Sequence, residues 1–495
     1  MKKTIKHILF FLSLVLIILA LSKSFKQYCA CRLDGDIAET VLLYPNVQKT
    51  FDDPTGLKTI ISNEKRACPN RFFSQYFLYK TFREIPFILQ NYFTPIESVY
   101  YTAAIAKLFM QVVILFLLTA IILGNFNLFS LKFVVTFLIL IPFFPTNGTH
   151  ISHQIGIIDK SITYSFFYAL PLIFLLLFYV PIFFELLHNK KYKMNGLLII
   201  LWTIFAVVSC FSCPLIPPTI LITNVLLLLY FFSRNWKENK NQPLGKKIIK
   251  SLKLITIRYY LFLLPISLLA LYSLFLGTYN SDFLEVKLPL KEMYLNLPKG
   301  VLNSLATVSY IIILIVLVAN YLIVFHKYKN VPQSGKVFGL YRFFIAFSLI
   351  YILLLPLGGY RPYRPLILRY DTIIPITVLS IITIYYTFLF IMKQFNSDTW
   401  KQRLKIMYLV MFFAVLVIFA AKNSTKIYND CEKSSLYTIA NSKDNIVALE
   451  NDCAVVGWCP IYNPEESRRY GELLYFWKIT DEVKLYYISP SSKFE

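Results

Sequence analysis

The feature that most constrains this chain is recurrence. Along its 495 residues, apolar runs return again and again, most of them at or above the roughly 17 residues needed to cross about 30 Å of hydrocarbon. The chain is 57% hydrophobic with a mean hydropathy of +0.58, more apolar than ordinary soluble domains. In hydrocarbon every backbone amide needs an internal partner, so such runs become helices. The expected fold class is an all-α polytopic membrane protein with about eleven spans, near 8–22, 102–123, 131–145, 164–186, 195–213, 215–232, 257–277, 304–325, 341–357, 372–392 and 405–421. The third span is short and carries Pro142 and Pro145. The stretch Pro214-Leu215-Ile216-Pro217-Pro218 is either a tight hairpin or a broken helix.

Charge supplies the orientation. The formal net charge is +23, but a nucleic-acid partner is not expected, because much of the excess sits in short loops between apolar runs. Segment 233–256 carries Arg234, Lys237, Lys240, Lys246, Lys247, Lys250 and Lys253. Segment 326–340 carries Lys327, Lys329 and Lys336, and 393–404 carries Lys393, Lys401 and Arg403. Every second loop is basic, as cytoplasmic loops are. With Lys2, Lys3 and Lys6 before the first run and no convincing cleavage site after it, the N-terminus is expected inside, with residues 1–22 a retained signal-anchor-like helix. Residues 23–101 then form a long first extracytoplasmic loop, 102–421 a ten-helix bundle, and 422–495 a small extracytoplasmic lobe, α/β or mainly β.

The polar loops hold the candidate chemistry. Asp34-Gly35-Asp36 opens the first outer loop, about a dozen residues past the first apolar run. An acid there can act as a general base or hold a divalent cation; Asp-Gly is equally a turn former. Later in that loop lie Asp52-Asp53, expected as a turn or cap. The aromatic and basic stretch Arg71–Tyr101 follows, its spacing that of helices lying in the interface. Segment 358–371 sets Tyr360, Arg361, Tyr363, Arg364, Arg369 and Asp371 on the outer side. These arginines run against the charge bias and suit phosphate, or they anchor helix ends and pair with Asp371. His150 and His153, spaced to share a helical face, lie near Asp159 and could bind metal or shuttle protons. Segment 278–303 adds Asp282, Glu285 and Glu292 without a pattern. Cys29, Cys31, Cys68, Cys431, Cys453 and Cys459 all fall outside and are disulfide candidates; six allow fifteen pairings. No P-loop, dinucleotide fingerprint, HExxH or G-x-S-x-G is present, and no cytoplasmic loop is large enough for a nucleotide-binding domain.

In layout, with one helix, a long outer loop opened by Asp34 and Asp36, interfacial helices, many spans and a later outer loop bearing Arg361, Arg364 and Arg369, the chain resembles the GT-C class of integral membrane glycosyltransferases. The resemblance is architectural and rests on the Asp-Gly-Asp and the Arg-rich loop. It implies sugar transfer from a polyprenyl-phosphate donor to a cell-envelope glycan or lipid acceptor. Asp34 or Asp36 would be the base and the arginines would hold the leaving phosphate. A divalent cation, magnesium or manganese, serves some members and not others. The composition suggests a bacterium, which places the protein in the inner membrane with its active face extracytoplasmic. Two other classes remain open: a polysaccharide polymerase or ligase, whose long loop usually comes later in the chain, and a transporter or flippase of lipid-linked substrate, which needs charge at mid-membrane depth, where the expected spans carry little: Lys107 and Lys132 lie near span ends and Glu185 at an inner boundary. A non-catalytic scaffold would tolerate loss of the acids.

Overall fold

The structure, a computed structural model, describes residues 2–144, 155–191, 195–239, 242–281, 288–358, 366–395, 399–421 and 429–489. It is mostly helical. In chain order the helices are α1 (Lys2–Cys29), α2 (Ile37–Val41), α3 (Pro45–Asp52), α4 (Leu57–Ser62), α5 (Phe72–Leu89), α6 (Pro95–Leu123) and α7 (Leu131–Leu140). Next, α8 (Ile162–Tyr164) runs through a π-helical turn, Ser165–Ala169, into α9 (Leu170–His188). Then follow α10 (Gly196–Cys210), α11 (Ile216–Glu238), α12 (Leu244–Lys253), α13 (Ile257–Gly277), α14 (Leu290–Leu305), α15 (Val308–Lys327), α16 (Ser334–Leu354), α17 (Ile374–Gln394) and α18 (Thr399–Ala421). The C-terminal part adds α19 (Asp430–Asn441), α20 (Arg468–Phe476), β1 (Ile446–Leu449) and β2 (Leu485–Ile488).

Among the described residues nine helices are long and apolar enough to cross a membrane; Leu131–Phe143 and Gly196–Cys210 are apolar but shorter. The protein is an integral membrane protein by this measure. The apolar residues left exposed lie along these helices, for example Phe11 and Leu19 on α1, Leu261 and Leu268 on α13, and Val410 and Val417 on α18, where lipid would cover them. Three helices form the centre of the bundle and are the most enclosed: α6, the continuous Ile162–His188 helix, and α17.

Local chemistry sets the helix starts. Thr94 caps α6, its side chain accepting from Glu97 N at 3.3 Å, with Pro95 at the first helical position, where a missing N–H costs nothing. Ser130 does the same for α7 through Phe133 N, and Asn195 for α10 through Leu198 N. Several helices outrun the apolar runs that mark them in sequence. α6 begins at Pro95 and α1 extends to Cys29, because a helix satisfies its own backbone wherever the bilayer ends.

One end of the bundle is capped and the other open. The cap consists of residues 30–93 and the C-terminal lobe. α5 lies between them: Phe82 packs on Trp477 with ring centroids 6.0 Å apart, Trp477 Nε1 donates to Phe82 O at 3.0 Å, and Gln90 Nε2 donates to Trp477 O at 2.8 Å. In the lobe, β1 and β2 pair in parallel, Ile446 opposite Leu485 through Leu449 opposite Ile488, flanked by α19 and α20. The predicted lobe is thus an α/β unit with two strands. Cys431 and Cys453 form a disulfide across 22 residues, so this bridge is local to the lobe and does not staple it to the first loop. Cys29, Cys31 and Cys459 form no disulfide, and Cys68 is held through its backbone, its N–H donating to Asn280 Oδ1 at 3.0 Å.

Candidate functional site

Where the capped end meets the bundle, Asp34 and Asp36 take different roles. Asp34 is 3% exposed and each of its oxygens accepts one hydroxyl and one amide. Oδ2 takes Ser161 Oγ at 2.7 Å and Thr163 N at 3.0 Å; Oδ1 takes Thr163 Oγ1 at 2.5 Å and Asp36 N at 3.3 Å. The carboxylate therefore sits on the first turn of α8, where helix N–H groups and the dipole favour an anion. Ser161 is fixed in turn as the α8 cap, accepting from Tyr164 N at 3.0 Å. All this makes Asp34 a fastener between the first loop and the bundle.

Asp36 is half-buried and its carboxylate accepts from Trp458 Nε1 at 2.8 Å, a contact spanning 422 positions. Burial pushes its pKa up, the neighbouring Asp34 charge adds to this, and the Trp458 hydrogen bond and Arg71 oppose it. The glycine between the two acids has a steric reason. A Cβ on Gly35 would stand 2.6 Å from Trp458 Cδ1 and 3.1 Å from Trp458 N, so the indole lies on bare backbone. Gly35→Ala is expected to lift Trp458 from this seat at a cost of about 1–3 kcal/mol, read as a lowered unfolding temperature. An unchanged one would mean that the 453–459 loop yields freely.

From Trp458 an aromatic ladder descends into the bundle, Trp458 to Tyr164 at 5.4 Å and Tyr164 to Tyr168 at 5.8 Å between centroids. Tyr168 sits on the π-helical turn, a distortion often retained where a helix must aim side chains at a site. It is within electrostatic reach of Arg71, Arg369 and Asp371, and the Arg71 guanidinium lies 4.8 Å above the Phe167 ring. Asp371, buried, pairs with Arg369 Nη2 at 2.7 Å and accepts from Thr372 N at 3.0 Å. Tyr351 OH donates to Thr372 O at 2.8 Å and fixes that turn to α16.

Asp159 completes the cluster. It is buried, and its Oδ1 accepts from Ser161 N at 2.7 Å. Burial pushes its pKa up to about 6, with Asp371 adding to the rise; the Ser161 amide, Lys107 and the Tyr370 phenol pull against it. Burial and the two acids Asp159 and Asp371 likewise push Tyr370 well above the usual phenol range. Lys107 is wholly buried, twelve residues into α6, and donates to Lys160 O. A lysine enclosed at this depth is costly unless it is paired or used.

The cluster thus joins Asp36, Asp159 and Asp371 with Arg71, Lys107 and Arg369. Sequence reasoning had singled out the three acids and Arg369. Arg71 opens the stretch whose spacing is interfacial, and Lys107 falls near the edge of an expected span, so neither stands out in the sequence. The only signal for either was an ionisable residue close to an apolar run. Tyr360, Arg361, Tyr363, Arg364, His150 and His153, together with Asp282 and Glu285, lie outside the described residues. Asp53 is structural: Oδ2 accepts from Thr59 N and Oγ1 at 2.9 and 3.0 Å and lies 3.4 Å from Arg66. Asp52 is held at the surface by Gln48. Among the described residues no three His, Cys, Asp or Glu side chains converge as a metal site would require.

Below the cluster, α9, α11, α16 and α17 enclose a crevice of about 60 Å³, lined by Leu172, Leu176, Thr219, Phe347, Pro375 and Leu379 among others. Pro375 follows Asp371 by one turn and Leu172 follows Tyr168 by one, so the apolar crevice begins where the charged cluster ends. No protein-family model, curated protein or solved structure matches the chain.

Proposed function

We propose that the protein is a membrane glycosyltransferase that moves a sugar from a polyprenyl-phosphate donor to a glycan or lipid acceptor, with chemistry at the capped end. The observation that carries this reading is the convergence of three acids and three cations at the bundle mouth, directly above an apolar crevice. Cations suit a phosphate, acids suit proton removal from a hydroxyl, and the apolar crevice suits a hydrocarbon tail. At about 60 Å³ it is far below the size of a ligand pocket, so a chain would enter by parting α9, α11, α16 and α17 from the lipid side.

In this scheme Asp36 removes the proton from the acceptor hydroxyl. The alkoxide oxygen bonds to the anomeric carbon as the bond from that carbon to the phosphate oxygen breaks, with inversion. The electron pair leaves with the polyprenyl phosphate, whose charge Arg71, Lys107 and Arg369 stabilise as it develops. The proton on Asp36 passes to solvent at the capped surface.

The topology we propose has eleven membrane-crossing helices, with the N-terminus cytoplasmic and the capped end extracytoplasmic, in a bacterial inner membrane. Two facts support it. Contacts bring successive helix ends together: Tyr28 at the end of α1 donates to Phe144 O just after α7, and at the other end Lys190, after α9, donates to Gly124 O, after α6, and Lys336, at the start of α16, to Leu187 O of α9. Arg234, Lys237, Lys246, Lys247, Lys250 and Lys253, with Lys327, Lys329 and Lys336, gather at the open end, where α1 begins, as cytoplasmic charge does.

Purified protein in lipid, supplied with a mixed pool of polyprenyl-phosphate sugars, is expected to release polyprenyl phosphate, and Arg71→Ala or Arg369→Ala to slow release by about 10–10³-fold. Absence of release across the pool would overturn the assignment. A second reading draws on Lys107: an enclosed lysine also suits a carrier of lipid-linked substrate. A carrier would move donor across the bilayer without breaking the sugar–phosphate bond.

A further inference from the structure

At the open end, far from the acid–base cluster, α12 bridges α11 and α13 and has a division of surface that no packing inside the protein explains. Laid out at about 100° per residue, Leu244, Ile248, Ile249 and Leu252 share one arc, and Lys246, Lys247, Lys250 and Lys253 the opposite one. The apolar arc is not buried against the bundle: all four of its residues are exposed, Leu244 at 69%. The helix touches the protein along the narrow strip between the arcs. There Ser251 is buried and its carbonyl accepts from Asn235 Nδ2 at 3.0 Å, while Tyr260 OH donates to Leu252 O at 3.1 Å. The exposed apolar surface continues through Leu254 and Ile257 onto the exposed side of α13 at Leu261.

The charges at this place are one-sided. Lys247 Nζ lies 4.0 Å over the Trp236 ring, and Arg234 and Lys237 add to the same end of α11. Glu238 is the local acid and is 3.7 Å from Arg234. Arg258, at the start of α13, is engaged by Glu185 at 3.1 Å. Between Glu238 and Asp282 the chain has no acidic residue.

We propose that α12 is a binding site for anionic phospholipid headgroups of the adjoining leaflet. Its apolar arc sinks among the acyl chains next to α13, and its four lysines hold phosphate-bearing headgroups, with Trp236 anchoring the boundary. Exposed apolar surface contiguous with a lipid-facing span needs hydrocarbon to cover it. A lysine face with no counter-acid among the described residues needs anions, and an anionic leaflet meets both requirements at one depth. The proposal is independent of what chemistry the capped end performs.

The test compares full-length protein in detergent, titrated with phosphatidylglycerol or phosphatidylcholine and read by native mass spectrometry as lipids retained. Wild type is expected to prefer phosphatidylglycerol by about tenfold or more, since each lysine near an anionic surface is worth on the order of fivefold. The variant K246Q/K247Q/K250Q/K253Q should bring the two lipids to near parity. A control that removes four lysines elsewhere at the open end, K191Q/K327Q/K329Q/K393Q, should keep the preference. Matched unfolding temperatures guard against misfolding, as the replaced lysines of α12 lie on the surface. Equal binding of the two lipids by wild type overturns the proposal. So does a control variant that loses the preference as fully as the α12 variant, because charge in general, and not this helix, would then be responsible.

Discussion

Asp36→Asn is expected to lower sugar transfer by about 10²–10⁴-fold, the range general-base loss commonly costs, while leaving thermal unfolding unchanged. Asparagine keeps the oxygen that accepts from Trp458 Nε1, so the lobe stays seated and only the basic group is lost. Asp34→Asn should do the reverse. Each Asp34 oxygen faces one hydroxyl, which can turn, and one amide, which cannot: Thr163 N on one side and Asp36 N on the other. Whichever way an asparagine amide is placed, its NH₂ meets a backbone N–H, at a cost on the order of 1–3 kcal/mol. Paired measurements of unfolding temperature and transfer rate on the two variants separate the roles. The opposite outcome, with Asp36→Asn unfolding and Asp34→Asn inactive but stable, would exchange them. Because burial and Asp34 hold the Asp36 pKa above the usual aspartate range, the base is lost to protonation on the acid side. Wild-type rate should therefore climb with pH through a midpoint higher than an exposed aspartate would give.

Much of the bundle was legible because hydrocarbon imposes a length. Among the described residues nine of the expected spans coincide with helices long and apolar enough to cross, and those at 131–145 and 195–213 hold shorter apolar helices; only the first of these two is marked as short by its sequence. The phenylalanine and tyrosine spacing after Arg71 likewise marked α5. What escaped reading lies in contacts that leave no local pattern. Asp34 meets Ser161 across 127 positions and Asp36 meets Trp458 across 422, and neither partner is distinguished by its own neighbours in sequence. Lys107 is hidden for a simpler reason. The apolar run begins near residue 102, but α6 starts at Pro95, so a residue that seemed to lie near the membrane edge is three turns inside the helix. The Asp-Gly-Asp tripeptide reads in sequence as either site or turn, and in the fold it forms a turn whose three residues have separate contacts. One acid fastens α8, the glycine seats an indole, and the other acid is left half-exposed beside Arg71.

Removing the carboxyl of Glu432 is expected to undo this arrangement from a distance. Glu432 is fully buried on α19, next to the Cys431–Cys453 bridge. Its Oε2 accepts from Leu33 N at 3.1 Å and Tyr100 OH at 2.6 Å, and its Oε1 from Val456 N at 2.8 Å. One side chain thereby ties the residue before Asp34, the central helix α6 and the loop that carries Trp458. Glu432→Ala leaves three buried donors unmet and should cost about 3 kcal/mol or more, read as earlier unfolding and faster proteolysis of the lobe. pH gives an independent test. Burial pushes the Glu432 pKa up to about 7, against the hydrogen bonds that favour its charge; unfolded, it titrates near 4.5. Below that lower value both states hold the proton. Between the two values the folded protein binds a proton that the unfolded chain does not, so stability falls as pH rises across this window and levels off above it. The protonated carboxyl remains compatible with its site, because Oε2 can then donate to the Tyr100 hydroxyl. A Glu432→Gln variant, which has no proton to lose, should be flatter across the same window. If its pH profile of unfolding instead parallels that of wild type, the titrating group is elsewhere and the carboxyl is held charged by its three donors at every pH where the protein folds.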